Sequence, residues 1–377
     1  MSFKVQGWCP GALKPMQSGD GLVVRIRPRL ARLSVEQGQG IAQAALRHGN
    51  GLIEVTARAN VQLRGVTGQN HAALLADLDR LGLLDASEAE ERHRNVVFTP
   101  FWAPQDGTTA LGQALYAALA SGPDLPGKFG FALDTGASPV LSATSADIRL
   151  ERAPDGGLVL RADGAAGGQR VTAETAVAQA LRMAEWFVSS GGVSGGRGRM
   201  AAHLSRVSLP FATDATPAPA LPQPRPGLIE QGALVALEFG ILRAETFAEL
   251  AERPLRITPW RMVLVEGATA IARAPGLIGD PDDPRLRVRA CTGAPGCPQG
   301  QQKTRALARS LAAAVPEGRV LHVSGCAKGC AHPGRADLTL AAGAKGFGLI
   351  RQGRAMDLPE RILRVTDLTP ELLSKAF

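Results

Sequence analysis

Apolar and polar positions follow the same order twice along this chain. GLVVRI from Gly21 and ALVALEF from Ala233 are short apolar runs that predict strands. A helix-period stretch follows each, over 34–48 and 245–252. Then come IEVTARANVQLRG at 53–65 and LRITPWRMVLVEG at 255–267, which align without gaps: Thr56 with Thr258, Val61 with Val263, Gly65 with Gly267. Strand, helix, strand, strand is a half-domain that must pair with another to bury its sheet face.

A second correspondence follows the first. DIRL from Asp147 resembles DLTL from Asp337, and GLVLR from Gly157 resembles GLIR from Gly348, each reading as a hairpin. A helix is expected after each, over 174–189 with Val177, Leu181, Ala184 and Val188 on one stripe, and over 358–375. Short β runs can look alike by chance, but order and spacing agree in both pairs, which favours an internal repeat. Between the halves, ATDATPAPALPQPRPG at 212–227 has proline-rich composition without apolar periodicity and predicts an extended linker.

Composition narrows the class. The 377 residues are 45% apolar and 20% charged, with 44 glycines, 26 prolines and only 4% aromatics, so an aliphatic core with many turns is expected. The net charge of +8 calls for an anionic partner. Nucleic acid is disfavoured, because lysine and arginine are spread along the chain with no basic run or aromatic RNA-reading motif. A small polyanion held in a cleft by arginines fits better. No apolar run is long enough to span a membrane, and the opening MSFKVQGWCPG lacks a signal core. Five cysteines, four of them clustered, do not make a secreted disulfide framework, so a cytoplasmic location is expected.

The clustered cysteines carry the chemistry. Cys291 and Cys297 lie in CTGAPGC, Cys326 and Cys330 in CAKGC, and a helix-like run at 301–315 separates the pairs. Four thiolates from two loops suit one iron–sulfur cluster, with Gly293, Gly296, Gly325 and Gly329 allowing close backbone approach. Structural zinc is the competing reading, although it favours shorter gaps than the first pair shows. Cys9 reads as an ordinary half-buried thiol. The histidines His48, His71, His93, His203, His322 and His332 form no short facial-triad motif. His48 and His71 fall in helix-like stretches and read as surface residues, and His332 reads as a neighbour of the cysteine loop. GGVSGGRG at 191–198 follows a helix and reads as a loop, not a dinucleotide turn.

The arrangement of the cysteine pairs in the second half of a duplicated chain resembles the sirohaem-dependent sulfite and nitrite reductases. Thr56 to Arg58 with Gln62, RNVVFTP from Arg94, and LPGKFG from Leu125 are similar to that superfamily's tetrapyrrole-side motifs. Two departures stand out. Gly130 sits where the reductases carry a second anion-pocket lysine after Lys128, and Gly127 replaces an arginine. WCPGALKPMQSGDGLVVRI from Trp8, LPGKFGFALDTG and CAKGCAHP instead resemble the precorrin-3B synthase family of aerobic cobalamin biosynthesis.

That resemblance implies an α+β fold with two ferredoxin-like half-domains (1–86 and 228–284) and two mixed α/β domains (87–211, and the cluster-bearing 285–377), related by a pseudo-twofold axis across the linker. It implies a monooxygenase that converts precorrin-3A to precorrin-3B, hydroxylating C20 and closing a γ-lactone. The implied cofactors are a 4Fe-4S cluster on Cys291, Cys297, Cys326 and Cys330 and a mononuclear non-haem iron whose ligands the sequence does not place. An external donor, an NADH-linked reductase or a ferredoxin, would supply electrons. Arg58, Arg94 and Lys128 match motif positions for holding substrate carboxylates. Arg25, Arg27 and Arg64 are further candidates, for which a solvated strand-face arginine is an equal reading. In the reductases the fourth cysteine bridges to haem iron, and Cys330 holds that place. The alternatives are a sirohaem-dependent sulfite or nitrite reductase, and a non-catalytic cluster or tetrapyrrole carrier.

Overall fold

The computed structural model describes residues 9–377; Trp8, part of the WCPG motif, lies outside the described residues. Both strand–helix–strand–strand units form, and they exchange strands. The first runs through strand Gly21–Ile26, a 3-10 turn Arg29–Ala31, strand Arg32–Leu33, helix Val35–His48, and strands Leu52–Val55 and Val61–Val66. The second repeats the order with Gly232–Leu237, Glu238–Gly240, Ile241–Arg243, helix Ala244–Leu250, Leu255–Ile257 and Met262–Glu266. Arg32–Leu33 pairs antiparallel with Leu255–Ile257, and Ile241–Arg243 with Leu52–Val55, so each sheet includes a strand of the other half.

The chain changes sheets at two equivalent left-handed residues, Leu30 (φ 55°) and Phe239 (φ 55°). A non-glycine residue there costs about 1–2 kcal/mol. Each is fixed by the α/β sheet it abuts. The Leu30 N–H donates to the Tyr116 hydroxyl at 3.3 Å, and Phe239 packs into the core under the C-terminal sheet. The first long helix begins in a reciprocal capping box between Ser34 and Gln37. Its Gly38 lets the second half approach, because a Cβ there would lie 2.6 Å from that of Ala251.

The remaining two sheets also share one plan. Val96–Phe98, Phe131–Asp134 and Ile148–Arg152 run parallel, and Leu158–Ala162 and Gln169–Val171 continue antiparallel. In the C-terminal sheet, Val288–Ala290, Leu321–Ser324 and Ala336–Gly343 run parallel, followed antiparallel by Gly346–Gly353 and Arg361–Leu363. The proline-rich segment runs extended across the first α/β sheet, where Ala218 N–H donates to the Arg152 carbonyl at 2.7 Å and Leu221 N–H to that of Pro139 at 2.8 Å.

Two helix expectations need correction. The stretch 358–375 forms edge strand Arg361–Leu363, a 3-10 turn Val365–Asp367 and only a short helix Pro370–Ser374. Pro370 starts a new helix and cannot sit inside a longer one. The stretch 301–315 is helical only over Arg305–Leu311 with a 3-10 turn at Ala312–Ala314, because the Thr304 hydroxyl is drawn to the Cys291 carbonyl at 2.6 Å. Helix Ala173–Ser189 forms as expected. Among the described residues no helix is long and apolar enough to cross a membrane.

Candidate active site

The two cysteine loops leave adjacent parallel strands at their C-terminal ends, where open α/β sheets place their ligands. Cys291 follows Val288–Ala290 and Cys326 follows Leu321–Ser324. A backbone bond ties the loops together, Gln301 N–H donating to the Gly325 carbonyl at 2.7 Å, and within the first loop Cys297 N–H donates to the Gly293 carbonyl at 2.8 Å. All four thiols line one cavity of about 280 Å³, with Arg25, Glu54, Gln62 and Arg64 from the first half in its wall.

Glycine makes this convergence possible. A Cβ on Gly325 would lie 2.9 Å from the Gly293 Cα and 3.3 Å from the Cys291 sulfur. The Gly325 N–H instead donates to that sulfur at 3.1 Å, the kind of bond cluster sulfurs accept. Burial raises the pKa of Cys326 and Cys330, and the nearby thiols add to it. Deprotonating these two therefore calls for a compensating positive centre. Among the described residues no three His, Cys, Asp or Glu side chains converge tightly enough to hold a single metal ion.

Glu54 ties the loops to the first half, and the sequence offered no motif for it. It accepts from Arg305 at 2.6 Å, Gln62 at 3.1 Å, Arg64 at 3.3 Å and the Thr292 hydroxyl at 3.4 Å. Burial alone would raise its pKa, but Arg64 and Arg305 outweigh burial and hold it below the ordinary carboxylate value. From Gln62 the network continues outward, since its side-chain oxygen accepts two bonds from Arg25 at 3.0 and 2.8 Å.

Arg25 opens onto a concentration of positive charge. Burial, then Arg27 and Arg58, push its pKa down to about 10, while Cys9 beside it acts in the opposite sense. Arg58, in the Thr56 turn, donates to the Lys128 carbonyl at 3.0 Å and the Ser145 hydroxyl at 3.4 Å, and burial and Arg199 lower its pKa. Lys128 is exposed. Arg27 pairs with Glu91 at 2.8 Å but leaves its Nε buried without a partner among the described residues. Arg199 joins this group through the Ser145 hydroxyl at 2.9 Å and Asp147 at 2.8 Å, and its glycine-rich context in sequence hid it.

Two candidate arginines are otherwise engaged. Arg94 is buried and forks onto both oxygens of Asp85 at 2.6 and 2.8 Å, with a third bond to the Arg27 carbonyl at 3.1 Å. It braces the strand bearing Arg27, and its one nitrogen without a partner among the described residues, Nη1, is buried. Arg64 borders the cavity but is saturated by Asp20, Glu54, Ser18 and the Gly296 carbonyl. Neither Arg25, Arg27 nor Arg64 is a solvated strand-face residue. His48 and His71 are half-buried, not surface residues: His48 bonds Asp77 at 2.8 Å and His71 the Ala12 carbonyl at 2.9 Å. His332 bonds the Arg335 carbonyl at 2.9 Å, its ring 5.7 Å from that of His322. His322 is fully buried with neither nitrogen partnered among the described residues, and burial pushes its pKa down to about 4.

Gly130 has a steric cause. A Cβ there would meet the Asn95 amide nitrogen at 2.7 Å and the Asn95 carbonyl at 2.9 Å, so no lysine fits. The Asn95 amide fills that space and donates to the Phe129 carbonyl at 2.6 Å.

Comparison with known proteins agrees with this architecture. Residues 14–81 match the nitrite/sulfite reductase ferredoxin-like half domain. The fold superposes on the structure of Mycobacterium tuberculosis NirA with a TM-score of 0.66, covering 94% of this chain and 79% of that one at 18% identity. The fold is thus α+β, of the NirA type, with a ferredoxin-like half domain. A precorrin-3B synthase from Sinorhizobium sp is 30% identical over 393 residues, spanning 94% of this chain and 84% of the relative. The chain belongs to the precorrin-3B synthase family.

Proposed function

We propose that this chain is the oxidoreductase that converts precorrin-3A to precorrin-3B with O2, hydroxylating C20 with γ-lactone formation in aerobic cobalamin biosynthesis. The observation that carries the reading is the single cavity in which four thiols face Arg25, next to the Arg27, Arg58 and Arg199 cations. Cys291, Cys297, Cys326 and Cys330 would hold a 4Fe-4S cluster, which supplies electrons one at a time when bound. The donor set fits, and the glycine-lined loops leave room beside the sulfurs.

The chain's own residues do the rest. Precorrin-3A is an apolar macrocycle with many carboxylates, and guanidinium forks bind carboxylates bidentately. Arg25, Arg27 and Arg58 with Lys128 would take those carboxylates, and Gln62 would hold Arg25 in place. Glu54, Arg64 and Arg305 would keep the cysteine loops in register with that cradle. No side chain is assigned to a mononuclear iron. Electrons would come from an external NADH-linked reductase or ferredoxin. A function resting on four cysteines outside any disulfide belongs in a reducing compartment such as the cytoplasm.

The exclusion of a side chain at Gly130 weighs against a sirohaem sulfite or nitrite reductase, whose small-anion pocket needs that charge. Anaerobic incubation with precorrin-3A, followed by O2 and reductant, tests the proposal. A product heavier by one oxygen atom is expected. Sulfite or nitrite reduction by the same sample would support a reductase, and a cluster without turnover would leave a carrier.

A further inference from the structure

A second cavity, of about 490 Å³, is walled by Trp260 and Arg261 of the Thr258 turn, by Phe239, and by Leu286 and Arg289 leading into the C-terminal sheet. It shares no described lining residue with the cysteine cavity. Ala57 of the Thr56 turn also lines it, whereas neighbouring Arg58 bonds Lys128 and Ser145, neither of which borders this space.

Its elements are the counterparts of those around Arg58 and Lys128. The Thr56 and Thr258 turns are built alike: each threonine N–H donates to the carbonyl four residues on, each hydroxyl accepts an N–H two residues on, and Ala59 (φ 54°) and Arg261 (φ 60°) are both left-handed. Phe239 occupies the place of Leu30. Gly318 precedes strand Leu321–Ser324 by three residues, as Lys128 precedes Phe131–Asp134.

The cavity also carries uncompensated positive charge. Among the described residues Arg261 bonds only the Ala331 carbonyl, at 3.2 Å, and Arg289 only the Leu286 carbonyl, at 2.8 Å, and neither has a carboxylate within ion-pair distance. Nearby Arg285 is different, being satisfied by Asp283 and Glu238. The wall also carries the carboxylates of Asp283 and Glu317, but neither pairs with Arg261 or Arg289, and two half-buried guanidiniums without an ion-pair partner are costly until an anion arrives. The volume is typical of small-molecule sites, which run about 300–1,000 Å³.

We infer that this cavity binds a second carboxylate-bearing tetrapyrrole, with its carboxylates on Arg261 and Arg289 and its ring against Trp260. The inference rests on the reading of the first site as a tetrapyrrole cradle. An apolar ring with peripheral carboxylates suits two cations set in a wall of Phe239, Met262, Ile278 and Leu286. A dinucleotide would need a glycine-rich turn opening an α-helix, and no α-helix begins in this wall, only the 3-10 turns Glu238–Gly240 and Pro284–Arg287.

Uroporphyrin I, a stable metal-free porphyrin carboxylate, is the probe. The iron-loaded full chain should bind two equivalents in equilibrium dialysis, one of them quenching Trp260 fluorescence. Arg289→Gln should raise the second Kd at least tenfold, with iron content and the first site unchanged. Trp260→Phe should abolish the second-site quench. Arg58→Ala should weaken only the first equivalent. A single equivalent, insensitive to Arg289→Gln but weakened by Arg58→Ala, would overturn the second site and leave the first intact. Two equivalents that ignore Arg289→Gln and Trp260→Phe would overturn it as well. No binding at all would overturn the tetrapyrrole reading itself.

Discussion

The guanidinium of Arg64 donates to the carbonyl oxygen of Gly296 at 2.9 Å, so a strand of the first half grips the peptide just before Cys297. The same group pairs with Asp20 at 2.8 Å and Glu54 at 3.3 Å, and only 5% of its side chain is exposed. Removing one partner from such a set leaves uncompensated charge, at about 3–5 kcal/mol. Arg64→Met should lower stability by about that amount in urea titration and reduce iron retention. A loss below about 1 kcal/mol, the range of surface pairs, with full iron would remove Arg64 from the role of clamp.

Arg94 and Arg58 should separate cleanly. Arg94→Ala leaves the buried Asp85 with only Arg29, at 3.9 Å, and should destabilise by about 3–5 kcal/mol, while the folded fraction keeps its affinity for uroporphyrin I. Arg58→Ala should leave the urea midpoint nearly unchanged and weaken that affinity by about 1.5–3 kcal/mol, the worth of a hydrogen bond to a charged group. Reversal of the two outcomes would exchange their roles.

Cluster assembly is expected to fail in two different ways. Cys326→Ser removes a ligand, and Gly325→Ala keeps all four thiols but places a methyl 2.9 Å from the Gly293 Cα and 3.3 Å from the Cys291 sulfur. Both should lose iron and acid-labile sulfide while far-UV circular dichroism stays native. Full iron content in Gly325→Ala would show that the loops can part without cost.

Asp134 predicts a pH effect on stability. It is buried, and burial raises its pKa to about 6 although it accepts N–H bonds from Val140 at 2.8 Å and Leu141 at 2.6 Å. A carboxyl whose folded pKa lies above its unfolded value binds its proton more tightly in the folded state. Its contribution is complete below the unfolded value of 3.8 and is lost as pH rises through about 6. Asp134→Asn keeps the acceptor and removes the charge. It should flatten the stability profile between these pH values and raise stability at pH 8 relative to wild type, by on the order of 3 kcal/mol. An unchanged profile would mean that Asp134 titrates normally.

What the sequence determined by itself was local. Strand and helix periods, the matching Thr56 and Thr258 turns and the spacing of the cysteine pairs depend on residues a few positions apart, and local sterics and hydrogen bonding settle them. The terminal stretch 358–375 was misjudged for the complementary reason: pairing of Arg361–Leu363 with Gly346–Gly353 outweighed its helical periodicity.

Only the tertiary structure decided which charges are free. Arginines look alike in sequence, but a guanidinium's role depends on which carboxylate the fold brings within about 3 Å, where charge-assisted bonds form. Asp85 consumed Arg94, and Asp20 and Glu54 consumed Arg64, while Arg25, Arg58, Arg261 and Arg289 found no carboxylate at ion-pair distance among the described residues. The exchange of strands between the halves, and the second cavity beside the Thr258 turn, likewise arise from contacts some two hundred residues apart along the chain, which no local pattern encodes.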